Sequence, residues 1–480
     1  MENRTSIHKS TITALPLLTG LFFSVIQLLA QPKQVLDAWK SEPRLSSASF
    51  GICLAEAKSG QVIYSYQQDL FLIPASTLKL FTTGAAAALL KPNFKFETQF
   101  AYTGQLERGV LNGDLVIIGG GDMTLYSEHF DTTNLLKNWV LQIKKSGIKK
   151  INGHVIVDNT KWPRRIPDHW IWSDISNYYG AAPVPLSYKD NKFRIWLKST
   201  AEGSPAEIIK TDLPKTYTEM QIECKVIAKG NADQAYVYGN PFGYARWMEG
   251  CIPANKSNYD IEAALPDPGL LCAIEIFNAL KANEIEITGQ PLCESNNGPS
   301  IAGKLFSHYS PSLERIIRIA NLKSNNLFTE GLVYALGEGN YQRGLASIKD
   351  FWAKKGITQK EFVMYDGCGL SRSNLVTATA FRKLLFAVYN DSILSKCILP
   401  SLPTSGLDGS MAHVGKGTPL EKNMRAKTGY IEHVRAYAGY LKNKQGKDLL
   451  FVILLNNYHC NPAEARLLIE KMMLGFWGQN

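Results

Sequence analysis

A serine and a lysine stand three residues apart in the segment Pro74-Ala75-Ser76-Thr77-Leu78-Lys79. A helix brings positions i and i+3 onto one face, so the Ser76 hydroxyl and the Lys79 amine can meet. Residues 81–90 are rich in alanine and leucine at helical spacing, which predicts a buried helix. Burial lowers the pKa of a lysine, so a neutral Lys79 could take the proton of Ser76 and make the hydroxyl a nucleophile. The pair predicts acyl transfer without histidine.

Two further motifs follow in the chain. Ser324-Asn325-Asn326 is an S-x-N triplet at the start of an apolar run, and Lys427-Thr428-Gly429 is a K-T-G triplet ahead of the strand-like residues 436–441. An S-x-x-K match alone is weak evidence, because serine and lysine are common and the pair could lie on a solvated helix face. All three motifs in this order are far rarer by chance, and they predict one site built from distant segments.

The composition describes an ordinary globular protein. The chain has 480 residues, of which 45% are hydrophobic and 20% charged, and this length suits two or three domains. The net charge of +10 first indicates an anionic partner such as nucleic acid, a lipid headgroup or a cell-wall polymer. The basic residues are dispersed, however, and the densest patches, at 144–150 and 161–165, match no nucleic-acid-binding module. We therefore expect solvated basic surface and no nucleic-acid partner.

The first thirty residues are typical of a secretory signal peptide. Arg4 and Lys9 precede an apolar segment over residues 14–30, which contains several polar side chains. A full membrane span is therefore less favoured, although an uncleaved anchor would leave the protein associated with the membrane. No later stretch is apolar enough to cross a membrane. We predict a periplasmic or otherwise extracytoplasmic protein.

The eight cysteines show no C-x-x-C pair and no zinc-like spacing with histidine. We therefore predict no metal site and no cofactor. Export would permit disulfides, and four of the cysteines lie between residues 224 and 293. Their spacing leaves open whether these four pair or remain buried thiols.

The pattern of elements predicts an α+β fold with an insertion. Strand-like runs at 49–55 and 61–66 form a hairpin that leads into the Ser76 helix, and strand-like runs at 436–441 and 448–456 precede a closing helix. The intervening residues are mixed α/β and then rich in strands, so the chain must leave the catalytic region and return. We therefore expect strands 49–55 and 448–456 to lie close together in a single antiparallel sheet. The predicted division is 1–30 signal peptide, 31–95 first catalytic part, 96–305 inserted region with two nested subdomains, and 306–480 second catalytic part.

The three motifs together resemble those of the penicillin-interacting serine enzymes. Further segments narrow the resemblance to the D-alanyl-D-alanine carboxypeptidase/endopeptidase family, the class C low-molecular-mass penicillin-binding proteins, over residues 40–478. These segments are Gly119-Gly120-Gly121-Asp122, Trp172-Ser173-Asp174, Tyr179-Gly180-Ala181, Asp366-Gly367-Cys368-Gly369-Leu370-Ser371-Arg372, Leu402-Pro403 and Gly406-Leu407-Asp408-Gly409. The resemblance implies a penicillin-binding/β-lactamase-like antiparallel sheet flanked by helices, with a large inserted region.

The resemblance also implies a mechanism. Ser76 would attack a peptide carbonyl with Lys79 as the base, and Ser324 with Lys427 would relay the proton to the leaving amine. The backbone N–H groups of Ser76 and Tyr430 would form the oxyanion hole.

The same resemblance implies the substrate contacts. Asn326 would hydrogen-bond the substrate backbone and Lys79, while Lys427, Thr428 and Gly429 would face the terminal D-alanine carboxylate. Asp174, Tyr179 and Arg372 match positions that contact the third residue of a stem peptide, where an acid and a guanidinium suit a zwitterionic side-chain end.

Two positions depart from the family pattern. Tyr430 stands where Thr or Ser commonly follows the K-T-G and helps to hold the substrate carboxylate with its hydroxyl, so this position departs from the pattern of the carboxypeptidases. Cys368 stands where Ser is common, and we expect a packed thiol there because no histidine lies near it in the sequence.

The leading hypothesis is a serine D,D-peptidase of peptidoglycan that cleaves D-Ala-D-Ala stem peptides or cross-links through an acyl-enzyme. Stem peptides would be its substrates and β-lactams its covalent inhibitors. One alternative is a β-lactamase-like or esterase hydrolase, but the motifs place no acid as a deacylating base. Another is a non-catalytic cell-wall binding protein, against which the three intact motifs argue.

Overall fold

The computed structural model of the chain describes residues 31–479, except 216, 218, 219 and 232. The predicted signal peptide, residues 1–30, lies outside the described residues. Among the helices that are described, none combines the length and the apolar character needed to cross a membrane.

The helices in the described ranges are α1 Pro32–Ser41, α2 Lys79–Leu89, α3 Leu135–Lys145, α4 Pro268–Ala282, α5 Leu313–Leu322, α6 Asn326–Leu336, α7 Tyr341–Ala353, α8 Ala378–Asn390, α9 Ser392–Ile398 and α10 Pro462–Trp477.

The strands are β1 Ser49–Glu56, β2 Val62–Tyr66, β3 Glu97–Tyr102, β4 Gln105–Glu107, β5 Val110–Asn112, β6 Leu115–Ile118, β7 Lys150–Ile151, β8 Val155–Asp158, β9 Lys192–Lys198, β10 Glu207–Thr211, β11 Gln221–Ala228, β12 Tyr236–Tyr238, β13 Ala245–Ile252, β14 Tyr259–Ala264, β15 Glu286–Ile287, β16 Pro291–Glu294, β17 Gly303–Tyr309, β18 Phe362–Val363, β19 Leu375–Val376, β20 Met424–Ile431, β21 Val434–Lys442 and β22 Asp448–Asn456.

One antiparallel sheet joins the two ends of the described chain. Its order is β2-β1-β22-β21-β20, and β1 pairs with β22 from Ser49 opposite Asn456 to Glu56 opposite Leu449. The prediction that strands 49–55 and 448–456 lie together is confirmed. The predicted hairpin of β1 and β2 also forms, with a bulge beside Ala55. The fold is therefore α+β, built on an antiparallel sheet that helices cover.

Both faces of this sheet are buried, because helices pack on each side. Successive side chains of β22 alternate between the faces. Leu450, Val452 and Leu454 enter the core beneath α2 and α8. Phe451, Ile453 and Leu455 enter a second core that α1 and α10 cover. This layering leaves β20 as the edge strand beside the helices.

Helix α2 is central to the helical side of the fold. Its alanine-rich sequence lets α5, α6, α7 and α9 approach it closely. Phe81 stacks on Phe362 with ring centroids 4.2 Å apart, and the Phe81 carbonyl accepts a 2.9 Å hydrogen bond from Trp352 Nε1. An ideal Cβ at Gly84 would lie 2.7 Å from Trp352 Cζ2, so glycine is what this close packing requires.

Residues between β3 and β17 form their own sheets. The sheet orders are β16-β8-β6-β3-β17, β15-β7-β5-β4, β10-β9-β14 and β11-β13-β12. Helices α3 and α4 share a separate core with these strands. We propose that these sheets make up the inserted region, and the boundaries at 31–95, 96–305 and 306–480 remain predictions.

All eight cysteines are free thiols, so the alternative of disulfides between residues 224 and 293 is not realised. Cys251 and Cys272 are buried, while Cys224 and Cys293 are partly exposed. Strand β17 and helix α1 have no counterpart among the elements expected from the sequence. Both depend on distant partners, since β17 pairs with β3 and α1 packs on α10.

We predict that Gly84→Ala lowers the free energy of unfolding by about 1–3 kcal/mol, because the new methyl group meets an indole that cannot move. The measurement is urea unfolding followed by circular dichroism. Gly331→Ala is the matched control within α6, because its methyl group would meet the flexible Met123 side chain. The control should lose less stability. Equal losses in the two variants would contradict the prediction.

Candidate active site

The predicted nucleophile lies on a tight turn. Ser76 is part of the 3-10 helix Ala75–Leu78, which leads directly into α2. Ala75 has φ of +46°, a left-handed conformation that non-glycine residues rarely adopt and that is often found at functional sites. Lys79 Nζ donates a 2.9 Å hydrogen bond to Ser76 Oγ. Ser76 is partly exposed and Lys79 is fully buried, so the hydroxyl faces the cleft and the amine lies behind it.

Three oxygen atoms surround the Lys79 amine. Besides Ser76 Oγ, Lys79 Nζ donates to Asn326 Oδ1 and to the Cys368 carbonyl, each at 2.7 Å. Burial lowers the pKa of Lys79, against an opposing effect of nearby acidic groups. The amine can thus exist in the neutral form at lower pH than an exposed lysine and accept the Ser76 proton.

A second serine and lysine meet on the other side of the cleft. Lys427 Nζ donates to Ser324 Oγ at 2.8 Å and to the Thr428 carbonyl at 2.9 Å. Ser324 lies between α5 and α6 with φ of +58°, and the Asn325 side chain caps α6 by accepting the Phe328 N–H. The S-x-N sequence therefore forms a helix start that turns Ser324 towards β20.

Lys427 lies on the edge strand and is fully buried. Burial, together with repulsion by the Lys79 ammonium group, holds the pKa of Lys427 well below its usual range. Each of the two amines bonds a different serine, and the electrostatic repulsion between them disfavours the state in which both carry a proton.

The K-T-G strand approaches the nucleophile turn through its glycine. An ideal Cβ at Gly429 would lie 2.6 Å from the Pro74 carbonyl oxygen, so a larger residue would push β20 away from Ser76. Tyr430 follows with half of its surface exposed, and the Arg435 guanidinium lies 4.3 Å from its ring centre. Thr428 Oγ1 donates to Ser410 Oγ at 2.6 Å.

A loop of the inserted region covers the cleft. The Tyr179 carbonyl accepts from Asn326 Nδ2 at 2.7 Å, and Tyr179 Oη donates to Asp174 Oδ1 at 3.3 Å. Arg372 Nη1 lies 3.5 Å from Asp174 Oδ2. Burial raises the pKa of Asp174, while the Arg372 charge opposes that effect. These contacts join Asp174, Tyr179 and Arg372 to Asn326 and, through it, to Lys79, so the structure brings these sequence-predicted side chains together.

Glu330 is a site residue that the sequence reasoning missed. It is fully buried, its Oε1 accepts the Cys368 N–H at 2.7 Å, and its Oε2 accepts from Tyr341 Oη at 2.6 Å. Glu330 thereby fixes the peptide segment whose carbonyl holds Lys79. Burial, and then the nearby Asp366, raise the pKa of Glu330 to about 7. Its position four residues after Asn326, on the same helix face, could have indicated it.

Asp366 supports the same segment from the other side. Its two oxygens accept from Trp170 Nε1, Asn374 Nδ2 and the N–H groups of Gly369 and Ser371, at 2.6 to 2.8 Å. Glu330, Asp366 and Cys368 lie close enough together to suit a metal ion. Both carboxylates are occupied by protein hydrogen bonds, however, so the cluster is best described as a brace behind Lys79. Burial raises the pKa of the Cys368 thiol, as expected for a packed cysteine.

Residues 32–476 match the D-Ala-D-Ala carboxypeptidase 3 (S13) family. The chain is 27% identical over 434 residues to the D-alanyl-D-alanine carboxypeptidase DacB of Haemophilus influenzae. The aligned region covers 87% of this chain and 88% of that protein. It is 28% identical over 454 residues to the D-alanyl-D-alanine carboxypeptidase of Actinomadura sp. (strain R39), covering 91% of this chain and 82% of that protein. Its fold is similar to the crystal structure of penicillin binding protein 4 from Haemophilus influenzae, with a TM-score of 0.77, 26% identity, and coverage of 92% and 98%.

We predict that Glu330→Gln removes part of the pH dependence of stability. The native pKa near 7 lies above the ordinary 4.5, so the folded state holds a proton that the unfolded state releases between these values. Glu330 makes its full contribution to the free energy of unfolding below pH 4.5. This contribution falls by about 3 kcal/mol as the pH rises from 4.5 to 7. Glutamine does not titrate; its Oε1 can accept from the Cys368 N–H, and its Nε2 can donate to Tyr341 Oη in the reverse direction.

The measurement is urea unfolding of both proteins from pH 4.5 to 8. The free energy of unfolding of the variant, relative to that of the wild type, should increase as the pH rises. Glu338→Gln, at an exposed position, is the control and should follow the wild-type curve. Parallel curves for Glu330→Gln and the wild type would contradict the assignment.

Proposed function

Because the chain belongs to the D-Ala-D-Ala carboxypeptidase 3 (S13) family, we propose that it is a serine D,D-peptidase that acts on peptidoglycan through an acyl-enzyme on Ser76. The observation that carries the proposal is the 2.9 Å contact between Ser76 Oγ and the fully buried Lys79 amine. The substrates are D-Ala-D-Ala stem peptides, cross-links between D-Ala and a diamino acid, or both.

In the acylation step, the neutral Lys79 takes the proton of Ser76 as Oγ attacks the carbonyl carbon of the penultimate D-alanine. The backbone N–H groups of Ser76 and Tyr430 stabilise the oxyanion that forms. Collapse of this intermediate breaks the peptide bond, and the proton that Lys79 took is relayed through the Ser324 hydroxyl, which Lys427 supports, to the leaving amine, so that Lys79 is neutral again. Water then hydrolyses the ester and regenerates Ser76.

Recognition of the substrate follows from the edge strand. The first residues of β20 already pair with residues 403–405, so an extended peptide would pair with the edge of β20 at residues 427–429, where backbone hydrogen bonds would hold it across Ser76. Lys427, Thr428 and Gly429 then face the terminal carboxylate. Ser410, bonded to Thr428, supplies a hydroxyl near this position, which supports carboxylate binding although Tyr430 replaces the usual Thr or Ser.

Asp174, Tyr179 and Arg372 would bind the third residue of the stem peptide. Arg372 Nη1 has no geometrically good hydrogen-bond acceptor, and its 3.5 Å contact with Asp174 is long. A diamino acid could satisfy both, because its ammonium would pair with Asp174 and its carboxylate with Arg372. The neighbouring Tyr179 hydroxyl, which donates to Asp174, would hold the Asp174 carboxylate in place.

The alternative functions are less well supported. A β-lactamase needs a base that activates the deacylating water, whereas Glu330 and Asp366 both bond the segment behind Lys79 rather than face Ser76. A binding protein with a disused site would not need the intact contacts of both lysines with both serines. β-Lactams would act as slow covalent inhibitors, and the related Haemophilus influenzae protein has been crystallised with a β-lactam.

The location follows from the reaction. Peptidoglycan lies outside the cytoplasm, and both of these relatives are named D-alanyl-D-alanine carboxypeptidases. We propose that residues 1–30 direct export, and that peripheral attachment to the membrane would follow if they remain uncleaved.

We predict that Ser76→Ala abolishes covalent labelling by fluorescent penicillin, because only the nucleophilic oxygen is lost. Labelling is read on a denaturing gel, and release of the label is timed in the wild type. Ser146→Ala, at the end of α3, is the control and should label normally. Full labelling of Ser76→Ala would refute the nucleophile, whereas release within seconds in the wild type would favour a β-lactamase.

We predict that Arg372→Ala lowers kcat/KM for a pentapeptide with a diamino acid at its third position by about tenfold or more, through loss of a charge-assisted hydrogen bond. Penicillin acylation should change much less, because penicillin lacks that group. Arg343→Ala, at an exposed position on α7, is the control for charge removal. Equal losses on the peptide and on penicillin would mean that Arg372 only supports the fold of the site.

A further inference from the structure

A sheet of the inserted region exposes aromatic rings beside the cleft. In the strand order β11-β13-β12, Val237 and Met248 point into the core, while Tyr236 and Tyr238 alternate to the opposite face. Trp247 pairs with Tyr238 in the register and lies on the same outer face. We call Tyr236, Tyr238, Trp247 and the adjacent Trp172 the aromatic face.

Three of the four rings contact one another, and Tyr236 lies two residues before Tyr238 on the same face of the strand. Tyr238 and Trp247 stack at a centroid distance of 5.8 Å and an interplanar angle of 19°, and Trp172 lies 6.2 Å from Trp247. Trp172 keeps 52% of its surface exposed and Tyr236 keeps 44%. Rings of this size usually bury most of their area, so a connected and exposed set indicates a binding surface.

The aromatic face continues into the catalytic cleft. Trp172 is two residues from Asp174, in the loop that covers the site. Burial raises the pKa of Tyr236, and Tyr430 and Asp174 are close enough to add electrostatically to this effect. A molecule bound at Ser76 and Asp174 could therefore extend towards these rings.

The outer face of this sheet also carries polar groups. Glu223 and Lys225 of β11 lie opposite Trp247 and Glu249 in the parallel register, and all three charged side chains are exposed. An apolar protein partner would have to desolvate these charges. A ligand that has an apolar face and a rim of hydroxyl and amide groups fits both features.

We propose that the aromatic face binds sugar rings of the glycan strand to which the stem peptide is attached. Pyranose rings present C–H groups on their faces and hydrogen-bonding groups on their edges, which match stacked indole and phenol rings flanked by Glu223, Lys225 and Glu249. The inference rests on the proposed function, since it places the peptide of the same substrate at Ser76. It assigns the β11-β13-β12 sheet a role in recognising polymeric substrate.

The first test compares two substrates. One is a pentapeptide, and the other is the same pentapeptide attached to the disaccharide of N-acetylglucosamine and N-acetylmuramic acid. The wild type should have a higher kcat/KM for the sugar-bearing substrate, mainly through a lower KM. Trp247→Ala should reduce this preference about tenfold, while Trp247→Phe should retain most of it.

Trp196→Ala is the matched control, because Trp196 is a partly exposed tryptophan on β9, in another sheet of the inserted region. This variant should keep the wild-type preference. If Trp247→Ala does not fold, Tyr236→Ala provides the same comparison. A wild type that shows no preference, or a preference that Trp247→Ala leaves unchanged, would overturn the proposal.

The second test is independent of catalysis. Ser76→Ala protein is titrated with a peptide-free tetrasaccharide of the same two sugars, and tryptophan fluorescence reports binding. When Trp247→Phe is added to this variant, the affinity for the tetrasaccharide should fall less than when Trp247→Ala is added. Absence of saccharide binding would overturn this inference even if penicillin acylates Ser76. Failure of acylation would instead refute the proposed function while the saccharide titration remained readable.

Discussion

The structure of the site depends on one amine placed where water cannot reach it. Lys79 is fully buried, yet its three hydrogen-bond acceptors come from three different segments: Ser76, Asn326 and the Cys368 carbonyl. Leaving a buried amine without partners would be costly, so any shift of α2 against α6 or the loop after β18 would be penalised. The burial that lets Lys79 exist as a neutral amine, and so accept a proton, therefore also holds these segments in register.

Local patterns in the sequence predict what depends on neighbouring residues. The hairpin of β1 and β2, helix α2 and the contact of Ser76 with Lys79 all follow from spacing within a few residues, and each is present. Glu330 was missed because a single glutamate on an apolar helix carries no motif. Strand β20, which carries the K-T-G, is also absent from the elements that the sequence predicts, and its edge position depends on which strands pair across several hundred residues.

The long insertion does not disturb the catalytic sheet, because its two ends are adjacent. Glu97, at the start of β3, pairs directly with Tyr309, at the end of β17. The chain thus leaves and returns at neighbouring points, and closing the loop costs the catalytic part little, since loop entropy grows slowly with length. Such pairing across more than two hundred residues leaves no local signal, so the sequence could indicate an insertion but not the strand that closes it.

The inserted region is nevertheless part of the active site. Two of the hydrogen bonds between its covering loop and the catalytic part reach groups around Lys79: Asn326 Nδ2 donates to the Tyr179 carbonyl, and Trp170 Nε1 donates to Asp366 Oδ2. Asn326 and Asp366 are also the groups that hold Lys79 and the Cys368 segment. A movement of the loop would therefore reach Lys79 through two routes of direct contact. In the proposed mechanism, a stem peptide that contacts this loop would stabilise the position of Lys79 through the same hydrogen bonds, so substrate binding and activation of Ser76 would be coupled.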